Sequence, residues 1–214
     1  MMRAMSRIWL AVCLLGLTAA GLGASGEAAE YRDAGGNLYG TVQLGTQVWM
    51  TSNYRCAIAG DGTALIKGGD VRGGSIAARY YNFEVAGGEG VETNPVFYNW
   101  PGAQAAVPSG WHIPSEAEWE TLLAWLALDG QGGPGTDAVA KLLGPDSSSG
   151  LDFLYSGSWD AGSFFARGTY ASFWTSTQYP RDARDMWQYR FAATGHSKTW
   201  LDKRCAFSLR LVRD

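Results

Sequence analysis

The chain is poor in the residues from which catalytic and metal centres are assembled. It has three cysteines and two histidines in 214 residues. A zinc or iron centre needs several Cys, His or carboxylate ligands at helix or turn spacing, and two scattered histidines do not supply them. No G-x-S-x-G elbow is present, so the serines form no assembled nucleophile motif. Basic clusters are missing too: 17 Lys and Arg stand against 20 Asp and Glu, for a formal net charge of −3. With no basic stripe, nucleic acid is excluded as a partner. Beyond the N-terminal run, no stretch is apolar for long enough to span a bilayer.

What the chain does have is 29 glycines, 10 tryptophans and 46% hydrophobic residues. That is enough for one sizeable core in one domain, with short strands joined by loops that the tryptophans hold down. The first residues read as a secretory signal over 1–26: Arg3 and Arg7 are the positive region, Ile8 to Leu17 the apolar run, and small residues from Ala19 to Gly26 the cleavage zone. Val12 precedes Cys13 and the apolar run continues past it, so a lipid-attachment motif is not formed. The expected location is secreted or cell-surface. Removing the signal leaves Cys56 and Cys205, an even count that in an exported protein predicts a disulfide.

The domain itself is expected over residues 31–214. "LYGTVQLGTQVWM" predicts a hairpin, Leu38–Leu44 and Gln47–Met50, hinged at Gly45–Thr46. Gly/Asp clusters from Thr51 to Gly90 predict turns, "GDG" at Gly60–Gly62 among them, with a short strand at Ala77–Phe83. Ser115 and Glu118 form a capping box, and Trp119, Leu122, Leu123 and Leu126 make an apolar stripe behind it. A second helix is expected in "TDAVAKLLGP". Strand-like runs follow at Phe153–Tyr155, Ser172–Thr177, Met186–Ala192 and Phe207–Val212. The layout predicts an α+β fold. In "MWQYRF", alternation puts Trp187, Tyr189 and Phe191 on one face, toward the core, and Met186, Gln188 and Arg190 on the other, leaving Gln188 and Arg190 outward. His112 is expected at the core edge, hydrogen-bonded to backbone. Glu116 and Glu120, one turn apart, are expected on a solvated face.

Taken in order, "GNLYGTVQLGTQVWMTSNYR", "YNWPGAQAAVPSGWHIPSEAEWETL", "FWTSTQY" and "FSLRLVRD" resemble the Fibrobacter succinogenes major paralogous domain. "HIPSEAEWE" also resembles the "RLPTEAEWE" of formylglycine-generating enzymes. The resemblance implies a C-type lectin-like domain: a twisted antiparallel sheet, two helices, termini close together and long irregular loops. It also implies export to the bacterial surface. Where the family has cysteines in "CP-GWH" and "SVRC", this chain has Val107 and Leu211, two apolar side chains that could fill one buried spot. Cys56 and Cys205 then read as an alternative staple.

Fold alone fixes no function. The absences above and the resemblance together lead to a non-catalytic recognition or adhesion module for a glycan or surface protein. Its candidate ligand-binding residues are Tyr179, Arg181, Arg184, Asp185, Gln188, Arg190, His196 and Trp200, which mix aromatic surface with rigid donors. No cofactor is implied; the loops leave room for a structural calcium ion, but the triplets of a sugar-coordinating calcium site are absent. The alternatives are a divergent enzyme of the formylglycine-generating superfamily and a structural subunit of a surface layer or fibre.

Overall fold

The computed structural model describes residues 30–68, 80–83, 96–128, 136–160 and 163–214. The N-terminal signal and the start of the Ala77–Phe83 strand fall outside them.

The first hairpin forms as expected. Strands β1 (Glu30–Arg32), β2 (Leu38–Leu44) and β3 (Gln47–Met50) pair antiparallel in sequence. Gly45 takes φ 60°, and a side chain there would press on the Trp125 ring. Glycine is therefore needed at this turn both for its backbone and for its lack of Cβ. The sheet continues through β14 (Val212–Arg213) to β7 (Trp111–His112), so the first and last described strands share it.

A second sheet is a three-stranded meander: β10 (Ala171–Gln178), β11 (Asp185–Ala192) and β12 (Gly195–Asp202). The third runs β4 (Ile66–Lys67), β5 (Tyr80–Phe83), β6 (Val96–Asn99), β13 (Ala206–Phe207), β8 (Ser158–Asp160) and β9 (Ser163–Phe165). The expected Phe207–Val212 run is thus two strands in two sheets. Between them the chain crosses over, bridging Ser208 to Phe173 and Leu209 to Tyr54.

Helices are few. Among the described residues they are α1 (Trp100–Ala106), α2 (Glu116–Leu128) and α3 (Thr136–Ala140). Helix α2 begins as its capping box predicts: Glu118 N–H donates to Ser115 Oγ (3.2 Å), and Ser115 N–H donates back to Glu118 Oε2 (2.7 Å). All four stripe residues are buried. Helix α1 was not expected. Asn99 caps it by accepting from Gly102 N–H (3.0 Å), and Pro101 sits in its first turn, where a missing N–H is harmless.

These proportions correct the α+β, lectin-like expectation. The described residues are mostly β, 44% strand and 15% helix, in three sheets rather than one twisted sheet with two helices.

Strand alternation divides the core in two. Trp49 joins a cluster with Trp119, Phe153 and Phe173, while its neighbour Met50 joins another with Tyr98, Trp100 and Trp174. Phe173 and Trp174 part the same way, as do Val212 and Leu211. Val107 and Leu211 both pack into the second of these clusters.

The disulfide expectation is also corrected. Cys56 and Cys205 are separate buried thiols. Each sulfur is engaged by a different carboxylate: Cys56 bonds to Asp33, and Cys205 Sγ lies 3.6 Å from Asp160 Oδ1.

Candidate functional site

The motif residues that look most chemical build the scaffold. Tyr98 donates its hydroxyl to the Cys56 carbonyl (2.8 Å), and Trp174 Nε1 donates to the Tyr98 carbonyl (2.7 Å). Arg210 of "FSLR" is 1% exposed; it donates to the Met50 carbonyl (3.1 Å) and Asn53 Oδ1 (2.7 Å) and lies against the Phe153 ring. In "GDG", Asp61 Oδ1 accepts from the Thr63 N–H and hydroxyl, closing a turn.

His112 differs from expectation. Its partners are carboxylates, not backbone: Glu118 Oε1 at 2.6 Å and Asp214 Oδ1 at 2.7 Å, one to each ring nitrogen. Burial alone would lower the imidazole pKa, but the bonds to Glu118 and Asp214, with their charges, outweigh it and raise it above 6.5. Burial would raise Glu118; the Ser115 N–H, His112 and the Ser115 hydroxyl outweigh it and hold the carboxyl below 4.5. An imidazolium donating from both nitrogens clamps α2 and the C-terminus to β7. The raised histidine contributes stability below about pH 6.5, lost as pH rises through its folded pKa; the lowered glutamate contributes above about pH 4.5, lost as pH falls through its own. Thermal unfolding of wild type and His112→Gln from about pH 5 to about pH 8 should show the wild type's advantage greatest at the acid end and shrinking toward pH 8. An advantage independent of pH would mean the clamp does not titrate in this range.

The three-stranded sheet carries the exposed chemistry. In its register Trp187 faces Trp200, and Phe191 faces His196, so these share one side. Gln188 and Arg190, one residue out of phase, lie on the other. At one end of the first side, Phe173, Tyr189 and Phe191 pack on Trp119 of α2. Past the start of α2 nothing described covers the sheet to the same degree. There Tyr179, leaving β10, stacks flat on Trp200, with centroids 4.6 Å apart and planes 3° from parallel. Trp187 meets both rings edge-on, at 4.9 Å and 5.7 Å. Lys198 Nζ lies 4.7 Å over Trp187 and pairs with Glu116 at the helix start. Trp200 remains 46% exposed. A large aromatic left that open, yet locked in a stack, is a rigid apolar platform with a charged rim.

The expected binding residues therefore separate. Tyr179 and Trp200 belong to the platform. His196 is exposed at the far end of that side, beside Tyr189 and Phe191. Arg181 is exposed in the β10–β11 loop. Arg184 is held by Asp182 at 2.7 to 3.2 Å, so its donors shape the loop. Asp185 helps close that loop, its carbonyl accepting from Tyr179 N–H (3.2 Å); burial first, then the charges of Asp182 and Asp202, push its carboxyl up. Gln188 is corrected outright: it is fully buried, with no partner for either amide atom among the described residues. Arg190 lies on the opposite side from Trp200.

Trp187, expected in the core, is a platform residue, and Lys198 and Glu116 were missed. Strand pairing was the only signal for them, since Trp187 and Trp200 meet through register rather than sequence distance. Among the described residues no group of three or more His, Cys, Asp or Glu is placed to hold a metal ion. No helix among them is long and apolar enough to cross a membrane.

No curated protein and no solved structure matches the chain. A family model does, that of the Fibrobacter succinogenes major domain, over residues 42–213. The match runs from within the first hairpin through the C-terminal strand, most of the chain, so the chain belongs to the Fibrobacter succinogenes major domain family.

Proposed function

We propose that this domain is an exported, non-catalytic recognition module of the cell surface that binds a glycan across the Tyr179–Trp187–Trp200 platform. The observation that carries the reading is the flat Tyr179–Trp200 stack with Trp200 nearly half exposed. Sugar rings present apolar C–H faces, and such a face fits a pre-ordered aromatic plane with little loss of side-chain freedom. Lys198 and Glu116 at the rim supply a donor and an acceptor for hydroxyl groups. Arg181 of the neighbouring loop widens the polar margin. Export rests on the N-terminal charge and hydropathy pattern, and the non-catalytic reading on the lack of an assembled nucleophile or metal motif.

Replacing Trp200 by alanine should weaken binding to a glycan identified on an array by at least about 2 kcal/mol, the scale of an interface hot spot. Thermal unfolding should change little, because half the ring is already in water. Undiminished glycan binding by the variant, or an array on which only proteins bind, would remove the platform as a sugar site.

A further inference from the structure

We infer that the opposite side of the same sheet carries a second, separate site, a pocket that takes a monosaccharide-sized ligand through a single carboxylate held by Arg190. The pocket has a volume of about 320 Å³ and lies between the β8–β9 hairpin and the meander. That is at the small end of ligand sites, room for one ring.

Arg190 is the reason for the carboxylate. Its guanidinium sits 5.4 Å from the Tyr170 ring centre, and among the described residues no acid pairs with it. The ring contact holds the group at the pocket wall, where its N–H donors can grip two oxygens at once. Half-buried at the pocket wall, the guanidinium keeps donors that an anion can reach. Ser158 and Ser172 line the same pocket, 8% and 2% exposed, and neither hydroxyl bonds another described group. They offer two more polar contacts beside the cation.

Asp160 on the wall, engaged by the Cys205 thiol, narrows the ligand. A fixed negative charge there opposes a phosphate or sulfate more than a singly charged carboxylate, and it accepts from sugar hydroxyls. Phe165, 49% exposed, and Leu201 supply an apolar wall for the ring's C–H face.

The lip of the pocket is held in an unusual backbone. Ala166 has φ 53°, a left-handed conformation that a residue with a Cβ adopts at a cost, and its carbonyl accepts from the Thr169 and Tyr170 N–H groups. Gly157 beneath it has φ 77°, and a side chain there would collide with the Phe165 carbonyl. Strain of this kind gathers at ligand clamps.

Calorimetry on the purified domain with D-glucuronate tests the site. Saturable binding is expected, at least about tenfold weaker for Arg190→Gln, the loss that follows removal of a charge-assisted hydrogen bond. The neutral analogue D-glucuronamide should lose affinity for wild-type protein to a similar extent, a comparison that needs no variant to fold. Arg190→Lys should fall between wild type and Arg190→Gln. Absence of saturable binding, equal binding by Arg190→Gln, or binding of N-acetylalanine in place of glucuronate would overturn the assignment.

Discussion

Replacing Trp119 by alanine is expected to destabilise the domain by about 3–5 kcal/mol, the range for truncating a buried tryptophan. The ring is fully buried and contacts five others: Trp49, Phe153, Phe173, Tyr189 and Phe191, with centroids 4.9 to 5.9 Å away. Three of those rings sit on the paired strands β10 and β11, whose backbone hydrogen bonds keep them from closing fully on the space. The cavity term adds to the lost burial. The indole N–H has no acceptor among the described residues, so Trp119→Phe forfeits volume but no hydrogen bond. It should lose less than half as much as the alanine variant. Urea unfolding of the three proteins decides this. An alanine variant within 1 kcal/mol of wild type (about half a typical urea m-value) would show that the cluster tolerates collapse.

The second large effect belongs to Arg210. Replacement by methionine keeps the apolar stem but leaves the Met50 carbonyl and Asn53 Oδ1 without this donor, at about 1–3 kcal/mol for each orphaned acceptor. Removing a buried cation recovers part of that through relief of desolvation. The net expectation is a loss of about 2–4 kcal/mol. Lysine should not rescue it. One ammonium has no fork to reach both acceptors, and it loses the flat contact with the Phe153 ring. Equal stability of wild type and Arg210→Met would mean that the desolvation penalty cancels both bonds.

Much of the local structure was legible in the sequence, because it depends on neighbours a few residues apart. The Gly45 hairpin and the Ser115–Glu118 box follow from turn and cap chemistry, and the helical stripe from its period. The architecture was not, since it depends on which short strands pair, and two-residue strands such as β7 and β13 have no pattern of their own. The same limit explains the site. Tyr179 and Trp200 were identifiable as polar-loop aromatics, but alternation alone sent Trp187 inward and Gln188 outward. It gives two faces without saying which is covered. Here both sides of β11 are buried along part of its length, and what uncovers Trp187 is the point where α2 begins. The two cysteines were read from their count, which says nothing about the Asp33 and Asp160 carboxylates that each thiol meets instead. Asn99 followed by Trp-Pro was the missed signal for α1.

The division of the core has a consequence for the last strand. Strand β14 lies between β3 and β7, with Val212 opposite Trp49 and His112. Leu211 goes to one apolar cluster and Val212 to the other, and Arg210 reaches back 160 residues to Met50. Neither half of the interior is complete without Leu211 and Val212. Contacts at such sequence separation form slowly, since a long loop must close before they contribute. Removing Leu211 and β14 alone would therefore open both halves of the interior at once.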